Sequence, residues 1–146
     1  MKLNPAIVAQ AAQLSVLRRD LHAHPELCFE EHRTAQVVAE RLGAWGLEVV
    51  RGLGGTGVVG LLHGRDGGAC GRAVGLRADL DALPMTELNT FAHASRYPGR
   101  MHACGHDGHT AMLLAAAQCL SQTRDFDGTV VFISSRPKKA AAGRGA

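Results

Sequence analysis

The densest collection of reactive side chains in this 146-residue chain is Met101-His102-Ala103-Cys104-Gly105-His106-Asp107-Gly108-His109. Three imidazoles, a thiol and a carboxylate fall between His102 and His109. In an extended loop, residues two apart point the same way, so Cys104 and His106 can reach one ion together. A thiolate with an imidazole suits zinc or another late first-row divalent metal. Gly105 and Gly108 are expected to let the backbone turn tightly around that ion. The helix predicted to follow directs its positive end at the loop, which favours a thiolate or a bound anion. Two ligands do not complete a four-ligand shell, so a helix-capping loop with surface histidines stands as the alternative.

A second cluster is Gly75-Leu76-Arg77-Ala78-Asp79-Leu80-Asp81-Ala82-Leu83-Pro84. Asp79 and Asp81 are expected to share a face at the end of a strand, where open α/β sheets bind ligands. One carboxylate could bind metal while the other orients a ligand or tunes its basicity. Against this, aspartate is common at turns, where it accepts local backbone hydrogen bonds. His22-Ala23-His24-Pro25-Glu26 also holds two imidazoles at spacing two. It sits at a helix end, where the dipole favours histidine, and reads as structural. Gly52-Leu53-Gly54-Gly55-Thr56-Gly57 has no following lysine or helix and is a weak phosphate loop. Cys28, Cys70 and Cys119 read as packing residues or bystanders.

The elements that must position these groups follow from periodicity. Ile7, Leu14, Leu17 and Leu21 predict a helix over residues 6–21, ended by Pro25. Val37, Val38, Leu42 and Trp45 predict another over 30–44, with Gly46 as its C-terminal cap. Short apolar runs predict strands at 47–50, 58–62, 73–80 and 128–133. A helix is expected over 108–122, with Asp107 capping its start. Helices alternate with strands, so the class is α/β. A His-Asp phosphohydrolase, suggested by His106-Asp107, belongs to an all-helical class, and the strands speak against it.

Composition excludes several roles. No apolar run approaches the roughly 20 residues of a membrane helix, and the start turns polar at once, unlike a signal peptide. Aromatic residues are 4% of the chain, too few for a platform that stacks single-stranded nucleic acid. Of the 16 Lys and Arg residues, Arg136, Lys138, Lys139 and Arg144 lie in the last stretch, away from all 13 acids. The basic excess is therefore a property of the tail, not a nucleic-acid-binding face. The four cysteines are too sparse for a disulfide scaffold, which leaves a reducing cytoplasm as the expected setting.

Taken in order, Leu21-His22-Ala23-His24-Pro25-Glu26-Leu27, Phe29-Glu30-Glu31, Arg77 to Pro84, and His102 to His109 resemble one family. It is the hippurate hydrolase and indole-acetyl-amino-acid hydrolase group of aminoacylase-like two-metal metallopeptidases. The resemblance covers about residues 10–133. It implies a mixed sheet flanked by helices, the N-terminal part of a two-metal exopeptidase-like catalytic domain. It also implies hydrolysis of the amide bond of N-acyl amino acids by a metal-activated water. The cofactor would be a divalent metal (Zn, Mn, Co or Ni). Carried over by position, Cys104 and His106 match metal ligands. Asp79 is placed as a further metal ligand and Asp81 as the catalytic carboxylate of the strand-end motif. Asp107 and His109 lie in the motif without an assigned role. The implied partner is a small N-acyl amino acid, with no nucleic acid and no membrane.

The resemblance stops at the fourth strand. There the family carries Phe-Gln-Pro-Ala-Glu-Glu-Gly, with a general-base glutamate followed by a metal-ligand glutamate. This chain reads Ser134-Ser135-Arg136-Pro137-Lys138-Lys139-Ala140. With one codon choice, a single base added after the Ile133 codon restores the family motif and puts its acidic pair where Lys138 and Lys139 stand. The expectation is a partial catalytic domain over 1–133 and an aberrant, disordered basic tail over 134–146 produced by a frameshift. The later family ligands and the lid or dimerisation domain are expected to be absent, so a homodimer would require that lid. The chain alone is expected to be inactive. A non-catalytic metal-binding or partner-binding fragment is the alternative.

Overall fold

A computed structural model describes residues 5–135. Among these the order is α1 (Pro5–Ala23), α2 (His32–Ala44), β1 (Glu48–Leu53), β2 (Gly57–His63), β3 (Ala73–Asp79), α3 (His106–Thr123) and β4 (Thr129–Ser135). Each element matches one expected from periodicity, with ends shifted by a few residues. β4 continues past the expected boundary at 133: Ser134 pairs with Val58 and Ala78, and Ser135 with Asp79. The rest of the expected tail, 136–146, lies outside the described residues.

The strands form one mixed sheet in the order β1-β2-β4-β3. β1–β2 and β2–β4 are antiparallel, whereas β3–β4 is parallel. The parallel pair needs a crossover, and α3 supplies it. The glycine-rich segment is the β1–β2 hairpin turn: Gly52, Gly54 and Gly55 take φ of 81°, 63° and 107°, conformations that disfavour any side chain. Asp66 secures the β2–β3 connection by accepting backbone N–H bonds from Gly128, Cys70 and Gly68. These bonds, Gly128's foremost, hold its carboxyl far below the usual carboxylate range.

Cross-strand partners share a sheet face. Val58, Gly60 and Leu62 of β2 pair with Ser134, Phe132 and Val130 of β4, and these with Ala78, Leu76 and Val74 of β3. This face receives α2 and α3, and α1 lies outermost, on α3. Leu17, Leu21, Val38, Leu42, Leu62, Leu114 and Phe132 form the centre of the core. A Cβ at Gly60 would stand 2.9 Å from Leu42 Cδ1 and 3.2 Å from Leu47 Cδ2, so glycine lets the end of α2 sit against the sheet. That end closes as a Schellman motif, with Leu47 N–H donating to Leu42 O and Gly46 N–H to Gly43 O. Gly46 takes φ 75° there, as expected of the cap position.

The start of α2 is capped from a distance. Glu26 accepts the N–H groups of Arg33 and Thr34, each at 2.8 Å, and the Thr34 hydroxyl. Two of the helix's unpaired amides are satisfied this way. Glu31 precedes the helix but makes no side-chain cap. It is fully buried and accepts the Thr56 hydroxyl at 2.6 Å, tying the hairpin to α2.

Candidate functional site

The segment after β3 is laced to its neighbours before it reaches α3. Ala82 N–H donates to Glu26 O at 2.7 Å, while Leu83 and Met101 exchange backbone bonds at 2.9 and 3.1 Å. These bonds fix the return of the chain, so the 102–106 loop lies against the carboxyl end of β3. The turn into α3 rests on Gly105, which takes φ 77° as its N-cap. α3 begins at His106, two residues earlier than expected, so Gly108 lies inside its first turn and does not bend the loop.

This arrangement joins His106 to Asp81. His106 Nδ1 lies 2.9 Å from the Asp81 backbone oxygen and 3.0 Å from its Oδ1. A carbonyl oxygen only accepts, so Nδ1 carries the proton and donates. The lone pair is then on Nε2, the atom left for a ligand. Both side chains are largely buried, at 15% and 7% exposure. Cys104 is an exposed free thiol one turn of loop away in sequence. His109 is exposed, with its ring 5.6 Å from that of His106.

Asp107 does not cap the helix. It is buried in the first turn of α3 and faces α1 instead. Its Oδ2 lies 2.9 Å from His22 Nδ1 and accepts the Arg18 Nε–H at 2.9 Å. His22 Nε2 lies 3.1 Å from Glu87 Oε1, so each ring nitrogen faces a carboxylate. Burial works to raise the Glu87 carboxyl, but hydrogen bonds from Asn89, the Ser95 backbone and His22 outweigh it and hold it below its ordinary value. His22 is thus a strut between α1, α3 and the 84–103 segment, a role beyond its helix-end position. His24 keeps to the helix-end role: its Nδ1 donates to the Asp20 carbonyl at 2.7 Å. Glu87 and Arg18 carried no sequence signal, because their partners lie 65 and 89 residues away.

His102 is the odd member of the cluster. It is 3% exposed, and neither ring nitrogen has a hydrogen-bond partner. Burial pushes its pKa down to about 4, against the opposing pull of the Asp107 charge. The ring is neutral near pH 7. Asp107 Oδ1 is buried and unpartnered as well.

The two strand-end aspartates part company. Asp81 turns under His106, whereas the Asp79 carboxylate pairs with Arg77 on its own strand. Asp79 contributes inward through its backbone oxygen, which accepts the Thr110 hydroxyl at 3.2 Å. β3 ends at Asp79, and the two carboxylates have different partners, Arg77 for Asp79 and His106 for Asp81. Among the described residues, no three His, Cys, Asp or Glu side chains are grouped to hold an ion. As a donor set the loop fits a divalent metal in part: one oriented imidazole with a free Nε2, one accessible sulfur, and orphaned polar atoms on His102 and Asp107 behind them.

Residues 75–135 match the model of peptidase family M20/M25/M40. An N-acyl-L-amino acid amidohydrolase of Geobacillus stearothermophilus is 57% identical over 109 residues, 74% of this chain and 28% of that protein. A hippurate hydrolase of Campylobacter jejuni is 42% identical over 130 residues, 89% of this chain and 33% of that protein. Among solved structures, a Bacillus subtilis protein described as a dinuclear metal binding peptidase from the M20 family superposes with a TM-score of 0.80. It is 40% identical, over 87% of this chain and 35% of that one. The fold and the loop define an M20-type catalytic layer. This chain belongs to the M20/M25/M40 peptidase family, and it spans about a third of the length of these relatives.

Proposed function

We propose that this chain forms the amino-terminal part of the catalytic unit of a metal-dependent amidohydrolase acting on N-acyl amino acids, and that alone it binds a divalent ion without turning over substrate. The observation that carries the reading is the Asp81–His106 pair, which fixes the tautomer and aim of an imidazole two residues from an exposed thiol. In this reading His106 Nε2 and Cys104 Sγ hold the ion (Zn, Mn, Co or Ni). Asp81 orients His106, as carboxylate partners of ligating histidines do. This replaces the expectation that Asp81 itself faces substrate, since its side chain is buried beneath the ring. Asp79 is a ligand only if it leaves Arg77. When bound, the metal supplies activation of water and polarisation of the amide carbonyl. Hippurate-like substrates are suggested by the hippurate hydrolase among the relatives. Four cysteines, too sparse for a disulfide scaffold, support a reducing, cytoplasmic setting. No helix among the described residues is long and apolar enough to cross a membrane.

Inactivity of the chain alone follows from what stands at 138 and 139. Two lysines replace the acidic pair that the family resemblance puts there, and general-base catalysis alone is typically worth about 10² to 10⁴ in rate. A frameshift remains the proposed cause, tested by sequencing the gene from the Phe132 codon onward. The functional test is equilibrium dialysis of the purified chain against Zn²⁺, with hippurate hydrolysis assayed in parallel. The expected result is zinc uptake that falls in both His106→Ala and Cys104→Ala, with no hydrolysis. Uptake unchanged in both variants refutes the site, and metal-dependent hydrolysis refutes the inactivity. A non-catalytic partner-binding fragment is the second reading, favoured by an uncovered sheet face.

A further inference from the structure

We infer that Glu87 is a positioning residue for the ion site: through His22 it locks the 84–100 segment to α1 and so holds in place the stretch that carries Cys104 and His106. The inference rests on the reading of those two side chains as ligands. One arm of its test is read without metal, so the two can fail separately.

The anchoring of the segment carries the first argument. Residues 84–100 form neither helix nor strand, and Leu83 and Met101 close them at the base by exchanging backbone bonds. Met85, Leu88, Phe91 and Tyr97 are all exposed, so apolar burial does little to fix the segment. The Glu87 side chain is only 3% exposed. Its Oε2 accepts the Ser95 N–H at 2.6 Å and its Oε1 the Asn89 side-chain amide at 2.9 Å, which ties the segment to itself. The same Oε1 lies 3.1 Å from His22 Nε2, which ties it to α1. Arg96 N–H, donating to Ala23 O at 3.0 Å, is a second tether at the end of that helix.

The surroundings of His22 carry the second argument. Its ring centre lies 5.6 Å from those of Phe91 and His93, which stack on each other at 4.1 Å. It lies 6.2 Å from that of His102, and its Nδ1 lies 2.9 Å from Asp107 Oδ2. His102 stands two residues before Cys104, and Asp107 directly follows His106. The ligand stretch is therefore bracketed by two buried side chains that both meet one ring. His102 has no hydrogen bond from its own ring, so packing alone holds it. Asp107 grips one edge of the His22 ring and Glu87 the other. Removing Glu87 frees the ring to swing, and both ends of the ligand stretch lose their support.

The chain itself makes the second connection, since the segment runs through Met101 straight into His102. Docking of the segment and placement of the ligands thus share a ring and a length of backbone. Asp81 sets the aim of His106, while Glu87 sets where the whole stretch sits. Coupling of this kind is reciprocal: if a docked segment favours the ion, the ion must favour the docked segment.

The test compares the full chain with Glu87→Ala, Glu87→Gln and Leu88→Ala. Backbone amide exchange is read without metal and then with Zn²⁺, and Zn²⁺ affinity is measured by equilibrium dialysis. Without metal, Glu87→Ala should speed exchange at Ser95 about 10-fold, because a charged acceptor is gone. Gly105 and His109, whose amides donate to the His102 and Gly105 carbonyls, should speed with it, while 130–133 keep their rates. Should 130–133 speed as well, the fold has loosened, and Glu87→Gln, which keeps an acceptor oxygen, decides in its place. Zinc affinity should fall about 5-fold or more in Glu87→Ala and less in Glu87→Gln. Zinc should in turn slow Ser95 exchange in the unaltered chain. Leu88→Ala, at a neighbour 89% exposed, should change none of these readings. Exchange at Gly105 and His109 that stays unchanged while Ser95 is freed overturns the inference, and so does zinc affinity indifferent to both Glu87 variants. Zinc uptake that survives in Cys104→Ala and His106→Ala refutes the ligand reading alone, and the metal-free rates still decide whether Glu87 holds that stretch.

Discussion

The corner at the end of β3 and the bare face of the sheet are built from the same strands but finished to different degrees. In the corner, His106 has Asp81, His22 has Asp107 and Glu87, and Arg18 closes on Asp107. On the bare face, Val59, Leu61, Val131 and Ile133 meet no layer among the described residues. Hydrogen bonds are short-ranged and directional, so α1, α3 and one loop suffice to pair most of a polar cluster, leaving the His102 ring and one Asp107 oxygen without partners. Covering an aliphatic face takes area, and area takes more polypeptide. The local geometry of a half-site can therefore be complete in a chain whose layers are not.

The sharpest way to break this contrast is to truncate neighbours on β4. Phe132→Ala, on the helix-covered face at 0% exposure, should cost about 3–5 kcal/mol in urea unfolding. Ile133→Ala, on the face turned away from the helices, should cost less, about 1–2 kcal/mol, since that side chain is only partly buried. Equal costs would mean that the two faces are equally packed. Within the corner, Asp107→Ala strips a partner from a buried histidine and should cost about 3 kcal/mol. Arg18→Ala, whose side chain is 45% exposed, should cost under about 1 kcal/mol by the same measurement.

The corner should also report on pH. His102 is held near 4, whereas an unfolded histidine takes its proton near 6.5. Below about 6.5 the unfolded chain binds a proton that the native state refuses, so stability falls with pH. His102 should withhold its full contribution from loss above pH 6.5 and forfeit up to about 3 kcal/mol by pH 4. Metal-free unfolding curves at several pH values, with His102→Phe as the control, measure this; the variant should lose the slope assigned to that window. Asp81→Asn is expected to keep the fold and loosen the aim of His106. Zinc affinity should drop about 10- to 100-fold, as for other partners of ligating histidines, and unchanged affinity would remove Asp81 from the site.

Much of the fold was legible in the residues. Leu17 and Leu21 mark the buried stripe of α1, Gly46 marks the end of α2, and the apolar runs mark β2 and β4. Each of these signals acts over a few residues through backbone geometry or periodic burial. The spacing of two between Cys104 and His106 was equally local. The role of His22 was not, because Asp107 lies 85 residues away and only the packing of α1 on α3 joins them. Asp107 was read as a cap from its position before a helix, yet the helix begins at His106 and turns that carboxylate toward α1. Asp79 and Asp81 were read as one face from strand periodicity carried past the end of β3, whereas their partners, Arg77 and His106, are set by tertiary packing.

By itself the sequence determined the order and kind of the elements, the glycines that turn the chain, and the donor atoms of the loop, since these depend on dihedral preference and on side-chain chemistry. Only the tertiary structure decided that Asp81 aims His106, that Asp107 serves α1, and that one face of the sheet carries aliphatic side chains with no helix over them among the described residues. Those outcomes depend on which surfaces meet across long separations, and no short-range pattern encodes that.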